Sequence, residues 1–305
     1  MEGWHIAVAL VALLTAYGLI AYVILPAAWT HHERQPGLAV RPMTTQTKQG
    51  IPGDPMNVGM VGSRGDLIQA MHAAGWYPAD PITLRSSIAI IGSVVLDRPY
   101  KDAPVSNLYY DHRCEDLAFE KPAGESANAR NHVRFWLVLD NGAEGRPVWL
   151  GAATFDRGVG VSHLTGQVTH HIAPNIDAAR GLLSNDLEEA GMVDATYQVS
   201  GIGPTLNGRN GEGDTYYTDG EIWMSRLVPA ARKNTAPLTE LRPPPLVGLK
   251  DAVWRRLGRI LRAKSARRDQ TICAFRVVGT PDRQEGCHRR ILRRNDLVAM
   301  AAWMP

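Results

Sequence analysis

Ile6 to Trp29 is a run of 24 residues without a charged side chain, IAVALVALLTAYGLIAYVILPAAW. A helix rises about 1.5 Å per residue, so the run reaches roughly 36 Å and covers a hydrocarbon core about 30 Å thick. Trp4 and Trp29 stand at its ends, where amphipathic rings favour the membrane–water interface. Pro26 falls in the last turn and predicts a kink or a stop there. A cleaved signal peptide fits less well, since MEGWH has no Lys or Arg and the apolar run exceeds the usual length of about 7–15 residues. Residues 1–29 therefore read as one transmembrane anchor. Arg34, Arg41 and Lys48 follow the span and no Lys or Arg precedes it, which by the positive-inside rule puts the main body in the cytoplasm.

The chain beyond the anchor must build its own core. Three cysteines in 305 residues cannot form a disulfide framework, so packing has to hold the fold. The formal net charge of +3 conceals two opposite regions: residues 1–240 net −7, while residues 241–305 carry 15 basic against 5 acidic side chains and net +10. Residues 30–53 are polar, rich in Pro and Gly and without period, and read as a linker. A folded domain is expected over 54–229. It opens with a strand over Met56–Val61, then a helix over 64–74 capped by Ser63 and stopped at Gly75, with Leu67, Ile68 and Met71 on one face. A second helix is predicted over Leu84–Leu96 and a third over Asp177–Ala190.

After Pro104 the hydrophobic period changes to two. Strands are predicted over Ser106–Tyr110, Asp116–Glu120, His132–Leu139, Pro147–Arg157, Thr196–Ser200 and Glu221–Val228, with a hairpin turn at Asn141-Gly142 and a loop over Asn207–Asp214. Helices followed by clustered strands give an α+β fold with a largely antiparallel sheet. The LRPPPL stretch, 241–246, predicts the domain's end. Beyond it Leu249, Val253, Leu257 and Leu261 recur every four residues among Arg255, Arg256, Arg259, Arg262 and Lys264. This basic amphipathic helix can dock on the domain or lie on anionic lipid. The tail from Ser265 to Pro305 has little pattern and is expected to be disordered. No nucleic-acid-binding motif accompanies the basic run, so no nucleic acid partner is expected.

Alternation along the strand His132–Leu139 puts His132, Arg134 and Trp136 on one face and Val133, Phe135 and Leu137 on the other. The second face suits a core, while the first suits a site or a wet edge. The hairpin brings Asp156 near the start of that strand, within reach of His132 or Arg134. His170 and His171 are adjacent in a strand and so point to opposite faces, and Asp177 and Arg180 open the following helix. Three readings stand open. His170 or His171, with His132, Asp156 and Asp177, can form a metal centre, His132 and Asp156 foremost; the same cluster, through His170, His171 and Asp177, can do metal-free acid–base chemistry or bind an anion; or these groups cap helices, pair with arginines and bind water at a sheet edge. No HExxH, CxxC pair or GxSxG is present, and the sequence leaves the cofactor unknown. Lys121 ends a strand where it can approach an anion. Asn210-Gly211-Glu212-Gly213-Asp214 with Tyr216, Tyr217 and Asp219 is a weak calcium- or phosphate-loop pattern, lacking both EF-hand spacing and the P-loop Lys-Ser/Thr.

The order of motifs carries a resemblance. GDPMNVGMVGS (53–63), AAGWYPADPITLRSS (73–87), RPYKDAPVSNLYY (98–110), DLAFEKP (116–122), NHVRFW (131–136), PVWLGAATFDRGVG (147–160), TGQVTHHIAPNIDAAR (165–180) and GDTYYTDGEI (213–222) together resemble the LssY carboxy-terminal domain family. The resemblance spans about residues 52–228. It implies a bacterial domain, in some members fused to membrane-embedded DedA-like or PAP2 lipid-phosphatase units; this chain has one anchor helix and no room for a PAP2 unit, so phosphatase activity is not carried over. It directs attention to Arg85, Lys121, His132, Arg134, Asp156, Arg157, His170, His171, Asp177 and Arg180. The expectation is a single-pass inner-membrane protein whose domain binds an anionic lipid headgroup or a membrane protein partner through Arg134, Arg157, Lys121 and Arg180. The alternative is a hydrolase of a phosphate-bearing lipid or envelope intermediate, with His170 or His171 as acid–base.

Overall fold

The computed structural model describes residues 2–29, 35–79, 108–123, 129–161, 168–229 and 232–257. The predicted helix Leu84–Leu96, Arg85 and the basic tail lie outside them. Contacts divide the chain into two units, Met1–Asp251 and Ala252–Pro305.

The N-terminal apolar run is helical throughout. An α-helix, α1 (Glu2–Leu19), passes into a π-helical segment Ile20–Ile24 and then into a last piece, Leu25–Trp29. The Leu25 N–H reaches back to the Ile20 carbonyl. The wider turn falls just before Pro26, whose ring would collide with the carbonyl four residues back in a regular helix. Gly3–Ala27 is long and apolar enough to cross a membrane, a test that a signal sequence also passes.

The strands are β1 (Thr44–Gln46), β2 (Pro52–Pro55), β3 (Val58–Val61), β4 (Tyr77–Pro78), β5 (Tyr109–Tyr110), β6 (Arg113–Cys114), β7 (Leu117–Pro122) and β8 (Arg130–Leu139). They continue as β9 (Val148–Val161), β10 (Val168–Ile172), β11 (Val193–Ser200), β12 (Thr205–Arg209), β13 (Thr215–Thr218), β14 (Glu221–Leu227) and β15 (Thr239–Leu241). Two helices pack with them, α2 (Arg64–Ala73) and α3 (Ile176–Glu189), and α4 covers residues 245–257. The main sheet runs β15-β11-β14-β3-β9-β8-β7-β4, with β10 added to β9. Its ladders are antiparallel except β3–β14 and β11–β15, so the fold is α+β with a largely antiparallel sheet.

Local chemistry explains the elements. Ser63 Oγ accepts from the Asp66 N–H and Asp66 returns the bond to the Ser63 N–H, a reciprocal cap on α2. Gly75 stops the helix at φ +76°, a left-handed position that favours glycine. Leu67, Ala70 and Met71 are buried, whereas Ile68 is exposed. The turn between β8 and β9 is longer than Asn141-Gly142 alone: the Gly145 N–H bonds the Gly142 carbonyl and Gly145 holds the positive φ. The predicted loop 207–214 is the tip of a hairpin, β12–β13, folded by Asn210 Oδ1 accepting from the Glu212 and Asp214 N–H groups. Along one edge of β9, β3 pairs with Val148–Gly151 and β10 with Asp156–Val161. In the gap the Asn57 amide takes the Ala153 N–H at 2.8 Å and donates to its carbonyl at 2.9 Å, so a side chain stands in for a strand.

Both faces of the sheet are covered. On one, α2 and α3 press Leu67, Met71, Ala179, Leu183 and Leu187 onto Val133, Phe135 and Trp149. The other carries Trp136, Val138, Leu150, Val199 and Met224. Residues 35–55 and the hairpin β5–β6 cover it, with Leu38, Met56, Leu108 and Tyr110 in the same cluster. Residues 35–53, expected as linker, thus belong to the fold: Leu38 is 0% exposed, and buried Gln35 donates to the Tyr197 hydroxyl and accepts from the Ala143 N–H. Pro and Gly here shape a covering layer, and burial of a residue such as Leu38 contributes roughly 1.5–3 kcal/mol. The other boundary moves too. β15 adds to β11 beyond Pro229, and Val247, Lys250 and Asp251 are buried, which carries the first unit past LRPPPL to Asp251.

Candidate functional site

The β8–β9 register sets Arg130 opposite Asp156, His132 opposite Thr154 and Arg134 opposite Ala152. Alternation then aligns Arg130, His132 and Arg134 on the face that the 35–55 layer covers. All three are buried, as are Asp156, Glu120 and Asp54; what the pattern suggested as a possible wet edge is an interior. All of these but Glu120 line a cavity of about 40 Å³, together with Thr47, Leu108, His170, Ile172 and the Asn210–Glu212 hairpin tip, space enough for water or a small polar group. Asn210 Nδ2 bonds Asp54 Oδ1 at 3.3 Å. A Cβ on Gly211 would fall 2.6 Å from Thr47 Cγ2 and 3.2 Å from the Pro52 carbonyl oxygen, so a side chain there would crowd the tip against the 47–53 turn.

Arg130 is fixed from three sides. Its Nε meets Asp156 Oδ2 at 3.3 Å, Nη1 meets Glu120 Oε2 at 3.2 Å, and Nη2 stands 3.2 Å from His170 Nε2. His132 Nε2 lies 2.7 Å from Thr154 Oγ1, and Nδ1 lies 3.2 Å from Asp156 Oδ1, an ion-pair distance outside hydrogen-bond geometry. Burial works against a charged Asp156, but His132, with His170 and Arg130, outweighs it and holds the carboxyl well below the usual range. Burial also pushes the His170 imidazolium down to about 4, aided by Arg130 and His132. A neutral His170 whose Nε2 accepts from Arg130 carries its proton on Nδ1.

Arg134 differs from Arg130, whose guanidinium is fixed from three sides. It is 4% exposed, yet Nε and Nη1 have no hydrogen-bond partner. The nearest carboxylate oxygen, Asp54 Oδ2, is 3.7 Å from Nη1, too far for a hydrogen bond. A buried guanidinium with donors unused is a costly arrangement in a protein interior, and Arg134 lines the cavity.

The fold therefore gathers His132, Arg134, Asp156 and His170 and separates the other expected residues. His171 turns to the opposite side of β10, its Nδ1 2.8 Å from Asp214 Oδ1. Asp177 accepts from Thr218 Oγ1 and the Asp219 N–H, and Arg180 forks onto Asp219. Arg157 is exposed and bonds the Ile172 carbonyl; Lys121 pairs with Asp186 at 2.8 Å. His170, His171 and Asp177 thus do not converge, and of the expected anion-binding set Arg134 alone lines the cavity. Among the described residues no group of three or more His, Cys, Asp or Glu is arranged to hold a metal ion; His132 and Asp156 face each other instead. The residues missed are Arg130, Asp54 and Glu120. Arg130 was within reach of the period-two argument, two positions before His132 on the same face. Asp54 lay at the supposed linker boundary, and nothing local marks it.

The sequence model described as LssY C-terminus matches residues 36–222. That match begins well before residue 52, in the layer that covers the cavity. The chain matches no curated protein and no solved structure.

Proposed function

The chain belongs to the LssY C-terminus family, and from that premise we propose that it is a membrane-anchored binding module whose cavity takes a small anionic group of the kind a phosphate-bearing lipid headgroup presents. The observation that carries this reading is Arg134: a guanidinium buried at 4% exposure with Nε and Nη1 lacking partners. A planar fork of N–H donors matches the oxygens of a phosphate or carboxylate, and charge-assisted bonds of this type are the stronger class. Arg130 supplies the rigid wall beside it, since Asp156, Glu120 and His170 fix its direction. The apolar helix Gly3–Ala27, as an uncleaved span, keeps the domain beside lipid.

Hydrolysis of a phosphate-bearing lipid has less support. It needs a histidine as acid–base, whereas His170 Nε2 faces Arg130 and is held neutral, and His171 is turned to Asp214.

The test is a calorimetric titration of the full chain in detergent micelles with inorganic phosphate and with glycerol phosphate. Arg134→Met should weaken binding about tenfold or more, the value of one charged hydrogen bond of roughly 1.5–3 kcal/mol. Equal affinity of wild type and Arg134→Met for both ligands, or binding to neither, rejects the reading.

A further inference from the structure

Helix α4 (245–257) is anchored by a side that mixes apolar and charged residues. Val247, Lys250 and Asp251 are buried, and Lys250 Nζ bonds the buried Glu221 carboxylate. Its aliphatic residues face out: Leu246 is 47% exposed, Leu249 61%, Val253 48% and Leu257 47%. Spacings of three, four and four residues put these side chains on one continuous stripe. An apolar stripe of several large side chains kept in water marks a surface that meets another phase or molecule.

Charge selects the occupant. At 100° per residue Arg256 flanks the stripe, and the chain from 241 onward nets +10. The one acidic residue of the helix, Asp251, is turned inward beside Lys250. Two copies pairing stripe to stripe would bring like charges together. A leucine stripe with a cationic border instead matches the boundary between headgroups and acyl chains of an anionic bilayer, and the same chain carries an apolar helix fit to span one. We propose that α4 lies on an anionic membrane surface, with Leu246, Leu249, Val253 and Leu257 entering the headgroup–acyl boundary and Arg256 on the lipid phosphates. This contact is independent of the Arg134 cavity and stands if the cavity binds nothing.

The full chain, with Cys114, Cys273 and Cys287 changed to serine and an environment-sensitive fluorophore on Leu249→Cys, is reconstituted in phosphatidylcholine vesicles with and without phosphatidylglycerol. Brominated acyl chains report proximity to lipid. The label should shift blue and be quenched in the anionic vesicles, and added salt should reverse much of this. Arg256→Gln should lower the quenched population about fivefold, the effect of one basic residue near an anionic surface. The same label on Leu246→Cys repeats the measurement at a second site. A label that stays in water in anionic vesicles overturns the proposal. So does one quenched equally without phosphatidylglycerol, or one shielded from bromine by a second copy. Leu246 and Leu249 are solvent-facing, so an unchanged thermal melt confirms that the labelled proteins are folded.

Discussion

Two clusters of buried charge among the described residues, around Arg180 and around Arg134, are finished differently. Around Arg180 the network is closed. Nη1 and Nη2 fork onto Asp219 at 2.8 and 2.7 Å, Nη1 also reaches the Glu221 carbonyl, and the guanidinium stacks 5.3 Å from the Trp223 ring centre. Asp177 accepts from Thr218 and from the Asp219 backbone. Around Arg134 the network is open, with two donors unused beside a cavity. Buried charge is therefore not in itself the mark of a site. A closed network fixes α3 against the β13–β14 turn, whereas an open one keeps its donors available for a ligand.

The comparison can be broken at several points. The largest effect is expected for Arg180→Ala, which leaves Asp177 and Asp219 without their cation. Breaking a buried pair in this way costs about 3–5 kcal/mol, read as a fall in the denaturation midpoint of the full chain in detergent. Arg134→Met should cost less, since the ion pair it breaks with Asp54 is long, at 3.7 Å, and Asp54 keeps its hydrogen bond from Asn210. If the two variants cost the same, the distinction between closed and open networks fails.

Acid should act on the open cluster next. The folded state holds His170 neutral down to about pH 4, while the unfolded chain protonates it near 6.5. Between those values the unfolded state binds the extra proton, so stability falls as pH is lowered through that window, by up to about 3 kcal/mol. His170→Gln should remove this slope in melts recorded across pH 4–6.5. A slope that survives the substitution assigns it to another group.

The smallest effect belongs to Lys121, paired with Asp186 but 31% exposed. Lys121→Met should cost less than about 1 kcal/mol, as exposed ion pairs do, and should leave phosphate affinity unchanged. A weakened affinity would return Lys121 to the binding surface.

Much of the architecture was legible because it depends on short-range rules. The apolar run, the Ser63 cap, the period-two strands and the His132–Leu139 hairpin partner follow from side-chain size, polarity and spacing along a few residues. The reach of Asp156 to His132 was legible for the same reason, being a consequence of one hairpin register; its second partner proved to be Arg130 and not Arg134. His170 and His171 were separated correctly by alternation, but alternation alone cannot say which of them meets a cavity.

The rest depended on contacts distant in sequence. Residues 35–53 have linker composition, yet they cover the second face of the sheet, because Trp136, Val138 and Leu150 leave an apolar surface that some segment must bury. That cover turns His132 and Arg134 from a possible wet edge into buried groups. The leucine stripe of α4 was visible in sequence, but the fold chose the side to anchor, drawing Lys250 onto Glu221 and turning the stripe outward. Residue order alone sets the apolar helix, the α+β pattern and the charge of each region. Which of those charges are satisfied is settled by folding, because a hydrogen-bond partner is a matter of position in space and the partners come from strands far apart in the chain.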